Sequence, residues 1–170
     1  NEVSPGLQSQ LPLIQSVFDK KEDERDAFEA QLIGLKIVNG YNGVGAGLYV
    51  SESSPTISNL IIENCYGAGD IDGGGGRFSN SNSTIKNCIF KNNSGRKGGA
   101  LAIGLGQISI ENCTFIQNTG RENGSVLYST DGSTEVSFKN CVMYENNGGT
   151  TIKAHSNTIC LINCSIINNT

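Results

Sequence analysis

The chain has 170 residues, enough for one domain with a sizeable core, and sets 12 basic against 16 acidic side chains for a net charge of −4. Twenty-two glycines, no tryptophan and only 36% hydrophobic residues exclude a compact helical globule, and no basic patch offers itself to a nucleic acid. No apolar run is long enough to span a bilayer, and three prolines are too few for a Pro-rich disordered tail.

Residues 1–31 carry no clear repeat. Residues 11–31 are expected to form one irregular early coil, with Leu13, Ile14, Val17, Phe18 and Phe28 facing in. An amphipathic helix or an end cap fits the same residues. The run Lys20-Lys21-Glu22-Asp23-Glu24-Arg25-Asp26 mixes its signs, which makes no strong field and reads as a solvated turn. The expected division is an irregular coil or cap over 1–31, followed by repeats over 32–170 that form part of a longer chain.

From residue 32 one pattern recurs. Anchored at Gly34, Asn59, Asn87, Asn112, Asn140 and Asn163, it steps by 25, 28, 25, 28 and 23 residues, inside the window of repeat architectures. Two before the anchor stand Leu32, Ile57, Ile85, Ile110, Phe138 and Leu161. One after it stand Leu35, Leu60, Cys88, Cys113, Cys141 and Cys164. Three after it stand Ile37, Ile62, Phe90, Phe115, Met143 and Ile166. These columns are apolar, whereas the column just before the anchor is mostly polar. Strand side chains alternate between faces, so the apolar columns point inward.

The inward phase slips across the anchor, because minus two and plus one are three apart. A bend there removes the conflict, and Asn tolerates the left-handed conformation a bend needs. Stacked coils then form an asparagine ladder at the anchor, with a second polar ladder at Asn93, Asn118, Asn146 and Asn169. Another strand in each coil follows a glycine turn, at 45–50, 74–79, 98–103, 124–128 and 148–152. The connecting loops, such as 66–73 and 129–134, absorb the length variation. The fold expected is all-β: a right-handed parallel β-helix of about six coils of roughly 25 residues.

Phe90-Lys91-Asn92-Asn93 and Phe115-Ile116-Gln117-Asn118 resemble the Phe-x-x-Asn half of the chlamydial polymorphic outer-membrane-protein repeat. Gly98-Gly99-Ala100-Leu101 resembles its Gly-Gly-Ala-aliphatic half, and the likeness runs over roughly residues 30–170. Ser53-Ser54-Pro55-Thr56-Ile57-Ser58-Asn59 is similar to the β-helix repeats of large secreted bacterial proteins. The resemblance implies an extracellular or cell-surface protein, often an adhesin or the passenger of an exported chain.

Six cysteines, at 65, 88, 113, 141, 160 and 164, make an even count. Four share the inward column after the anchor. Neighbouring coils bring their Cα atoms to about 4.8 Å, but in-register Cβ atoms sit wider than the roughly 3.5–4.5 Å of a disulfide. A ladder of buried free thiols is favoured, with one bridge such as Cys88 to Cys113 still open. A linear stack with one distant His offers no tetrahedral metal site.

The weak catalytic candidates are Asp70, Asp72 and Arg77. The two carboxylates lie in the glycine-rich loop 66–76, which reads as a flexible turn before it reads as a calcium or sugar contact. The later Glu of a calcium loop is missing, since Phe78 stands there. Arg77 occupies what the glycine pattern makes an apolar column, either pointing out at a loop edge or aimed at an acidic substrate. His155, the only histidine, has no spaced Ser or Cys partner and reads as a solvated turn. Thr114, Thr119, Thr150 and Thr151 do not repeat by coil, which argues against an ice-binding face. No cofactor and no metal are expected.

Sequons occur at Asn82, Asn92, Asn112, Asn123, Asn163 and Asn168. Asn92 and Asn123 are the candidates for glycosylation in a eukaryotic source, and Asn112 and Asn163 are expected to be too enclosed. The function expected is a non-catalytic, secreted or cell-surface segment acting as spacer, fibre component or adhesin. A polysaccharide-binding or polysaccharide-cleaving β-helix is the alternative. The expected partners are other chains, or further coils of the same chain, at the solenoid ends, together with cell-surface glycans.

Overall fold

The computed structural model describes residues 30–41, 44–129, 134–155 and 158–170. The irregular coil expected over 1–31, with Leu13, Ile14, Val17, Phe18 and Phe28, falls almost wholly outside the described residues. The described residues contain strands and turns and no helix.

Three parallel sheets wind around one bore. The first stacks Gln31–Ile33, Thr56–Ser58, Thr84–Lys86, Gln107–Glu111, Glu135–Lys139 and Thr158–Ile162. The second stacks Lys36–Val38, Ile61–Glu63, Ile89–Lys91, Thr114–Ile116, Val142–Tyr144 and Ser165–Ile167. The third stacks Leu48–Ser51, Gly76–Ser79, Leu101–Ile103, Leu127–Ser129 and Ile152–Ala154. Five coils are therefore complete, and a sixth carries its first two strands. A short extra pair, Ser94–Lys97 with Thr119–Asn123, lies between the second and third sheets along the chain.

Three corners make the winding possible. The first is the anchor itself, where Asn59, Asn87, Asn112, Asn140 and Asn163 all hold φ between 50° and 56° and Gly34 holds 69°. The second follows five residues later, at Asn39, Asn64, Asn92, Gln117, Glu145 and Asn168, with φ between 51° and 57°. The third is a glycine column, Gly45, Gly73, Gly98 and Gly124, with φ from 60° to 76°. Asn and Gly fill all but Gln117 and Glu145 of these positions, because left-handed backbone costs them least.

Like residues pile up by register. Ile57 pairs with Ile85, Ile85 with Ile110, Ile110 with Phe138 and Phe138 with Leu161. In the second sheet Ile62, Phe90, Phe115 and Met143 follow one another, all fully buried. Phe90 and Phe115 stack at 5.2 Å, and Phe138 meets Phe115 edge-on at 5.9 Å. Each such side chain contributes roughly 1.5–3 kcal/mol on burial. That burial requires a neighbour on both sides: the inward-column residues Leu35 on the first coil, and Leu161 and Ile166 on the last, are exposed.

Two asparagine ladders run along the stack, and they differ. Asn93, Asn118, Asn146 and Asn169 turn inward and pass hydrogen bonds from coil to coil. The anchor asparagines turn outward, with Asn112 donating to Asn87, Asn140 to Asn112 and Asn163 to Asn140. Asn112 and Asn163 are exposed rather than enclosed. The correction is geometric: the anchor stands between two inward-pointing positions, so its own side chain turns away from the bore.

Candidate functional site

The glycine-rich loop 66–76 follows the second corner at Asn64, turns at the third corner, Gly73, and enters the third sheet. It is fastened rather than free. Arg96, one coil further on, donates from Nε to Oδ1 of Asp72 at 3.0 Å and from Nη2 to Oδ2 at 3.2 Å. Asp72 is only 8% exposed, so this two-pronged pair satisfies a nearly buried carboxylate. The Asp72 carboxylate is among the groups that hold the Arg96 guanidinium in its charged form, the hydrogen bond being the largest cause. Arg121, two coils on, donates from Nη2 to the carbonyls of Gly67 and Gly69 at 2.8 and 2.7 Å. The same guanidinium covers the ring of Tyr66, which stacks on Tyr41.

The three candidate residues are brought together only in part. Asp70 is solvent-exposed and meets Arg96 at 3.4 Å. Arg77 stands 4.0 Å from Asp72. Arg77 does not occupy an apolar column. Gly73-Gly74-Gly75-Gly76, not Gly74-Gly75-Gly76-Arg77, stands in register with Gly98-Gly99-Ala100-Leu101, so Arg77 pairs with Ala102 and points outward. Four glycines in a row carry no Cβ to show which one faces in. The recess beside Asp72, Arg77, Ala102 and Tyr128 has a volume of about 10 Å³, room for roughly one water.

Sequence reasoning missed Arg96 and Arg121, whose partners lie 24 to 54 residues away. It also passed over the outer face of the first sheet. There Thr84, Ser109, Ser137 and Cys160 form one outward column, three before the anchor, beside Asn82, Gln107, Glu135 and Thr158. Together they line a groove of about 320 Å³. The column was visible as a repeat of small hydroxyl side chains.

His155 is exposed and packs edge-on against Tyr128, with ring centroids 5.6 Å apart. Among the described residues no group of His, Cys, Asp or Glu is arranged to hold a metal. No helix among them is long and apolar enough to cross a membrane. Asn92 is exposed at the second corner, bonded to Asn64. Asn123 is half-buried beside Thr150.

The cysteines are free. Cys88, Cys113 and Cys141 are buried in the inward column, and Cys164 is half-buried on the last coil. Their thiols bond to backbone carbonyls such as Lys86, Glu111 and Lys139. Burial pushes the Cys65 and Cys141 thiols up, and Cys113 is pushed up first by its hydrogen bond with Cys88 and then by burial. Cys65 occupies the inner asparagine column, where its backbone N–H donates to Asn93 at 3.0 Å. Cys160 is exposed in the groove.

The family model described as a right-handed beta helix region matches residues 26–170. No curated protein and no solved structure matches the chain. The match spans every described residue and agrees with the stacked parallel sheets, the left-handed corners and the inward asparagine ladder. On that basis the chain belongs to the right-handed β-helix family.

Proposed function

We propose that this chain is a non-catalytic β-helix segment, secreted or displayed at a cell surface, that acts as a spacer, fibre component or adhesin. One observation carries the reading. Both oxygens of Asp72, the more enclosed of the candidate acids, are taken by Arg96 in a bond that ties two coils together. A carboxylate so engaged is a fastener, since a general acid or base must be open to its substrate. The likeness to outer-membrane-protein repeats supports the adhesive role. Exposed inward-column side chains on the first and last described coils, such as Leu35 and Leu161, suit docking of further coils or of other chains.

The alternative, a polysaccharide-binding or polysaccharide-cleaving β-helix, is favoured by the groove on the first sheet. Incubation with acidic and neutral polysaccharides, read by release of new reducing ends, separates the two. The expected result is no turnover above background. Reproducible turnover that disappears in Arg77→Ala, with the variant still folded by circular dichroism, overturns the non-catalytic reading.

A further inference from the structure

The groove on the first sheet has a chemistry of its own. Its floor is the column Thr84, Ser109 and Ser137, held in register by parallel pairing. Its rim is built: Asn82 accepts the backbone N–H of Gln107 at 2.8 Å, and the Gln107 side chain donates to Glu135 at 3.3 Å. Among the described residues no group bonds the three floor hydroxyls, and all three are partly open to solvent. A hydroxyl both donates and accepts, so the floor offers a short row of two-way hydrogen-bonding groups. Parallel strands set these groups about 4.8 Å apart. Among the described residues the lining contains one carboxylate and no cation.

We infer that this groove binds a linear neutral glycan laid along the stack, across the strands. Sugar hydroxyls match a floor that both donates and accepts. A ligand of repeating rings matches a site of repeating coils. Small side chains on the floor leave room for the rings, and the volume lies at the lower end of ligand sites. Glu135, with no cation among the described lining residues to offset it, disfavours uronates and sulfated chains. The site lies on a different sheet from Arg77 and away from the loop that carries Asp72. The inference rests on the non-catalytic reading only in that the ligand is bound and left uncut.

The test uses cellohexaose, xylohexaose and chitohexaose, with hexagalacturonate as the anionic comparison. Each is titrated into the whole chain and followed by amide NMR shifts and calorimetry. At least one neutral hexasaccharide is expected to bind, with shifts confined to the first sheet around Ser109 and Ser137. Ser109→Arg and Ser137→Arg, which fill the floor from outside the core, are each expected to weaken binding about tenfold or more, against no change in Arg77→Ala. The inference falls if none of the neutral chains binds, if both Arg substitutions leave the affinity unchanged, or if hexagalacturonate binds more tightly. Sizing the recovered oligosaccharide reads cleavage separately, so shortened product would overturn the non-catalytic reading while leaving the groove in place.

Discussion

The side-chain amide of Asn118 donates to the side-chain oxygen of Asn146 at 2.9 Å, from one coil to the next, with both residues fully buried. Asn118 also donates to the Phe90 carbonyl, and its own oxygen accepts both the backbone and side-chain N–H of Asn93. Asn118→Ala strands several of these groups at once, and each buried orphan costs about 1–3 kcal/mol. The expected loss is roughly 2–4 kcal/mol, read from urea unfolding. Asn112→Gly, which removes an outward ladder residue and keeps left-handed backbone accessible, is expected to cost about 1 kcal/mol or less. Equal losses in the two variants would contradict the division into inner and outer ladders.

That division shows what the sequence carries and what it hides. The apolar columns were legible because parallel stacking in register places Ile57, Ile85 and Ile110 on top of one another, so spatial neighbours repeat along the chain. The bend at Asn59, Asn87 and Asn112 was legible from the slip in phase. Two asparagine columns, however, look alike in a sequence; which one faces in depends on the second corner at Asn92 and Gln117. Arg77 was misplaced because Gly73–Gly76 gives no sign of facing. The Asp72–Arg96 pair joins a loop of variable length to the short strand Ser94–Lys97, which a column alignment does not bring together. The floor hydroxyls of Thr84, Ser109 and Ser137 lined up as a column, but small polar side chains on an outward face carry no mark of a ligand.

Loop 66–76 depends on Arg96 and Arg121. Arg96→Met leaves Asp72 nearly buried without its main partner, although Arg77 at 4.0 Å offsets part of the charge. The expected destabilisation is about 1–3 kcal/mol, reduced from the fully buried case because Arg96 is partly exposed. Arg121→Ala removes the bonds to Gly67 and Gly69 without touching the core. Thermolysin cleavage near Ile71 is expected to quicken in both variants, while the thermal midpoint falls more in Arg96→Met.

The thiol ladder separates the cysteines by access. With the native protein at neutral pH, an alkylating reagent is expected to label Cys160 first and Cys164 next. Cys65, Cys88, Cys113 and Cys141 should react only on unfolding, as read by peptide mass spectrometry. The raised thiols also set a pH dependence. Cys65, Cys113 and Cys141 stay protonated in the fold above their ordinary value of 9.0, whereas unfolded thiols ionise there. The unfolded state then binds fewer protons, so stability is full below that value and falls as pH rises beyond it. A Cys65→Ala, Cys141→Ala double variant should show a shallower loss between neutral and strongly alkaline pH.

Glycines at different corners are expected to respond oppositely to substitution. Gly98 holds φ at +70°, and a Cβ there would collide with the Leu101 carbonyl, which cannot move without breaking the third sheet. Gly98→Ala therefore combines left-handed strain with a backbone clash, and about 3 kcal/mol or more should be lost. Gly34 has nearly the same φ, +69°, with nothing within 4 Å of an added Cβ. It is also the one anchor that is not Asn. Gly34→Asn would extend the outer ladder toward Asn59 and reduce the freedom of the unfolded chain, so it should be neutral or stabilising by up to about 1 kcal/mol. Urea midpoints moving in the same direction for both variants would show that the corners are not governed by what lies beside each glycine.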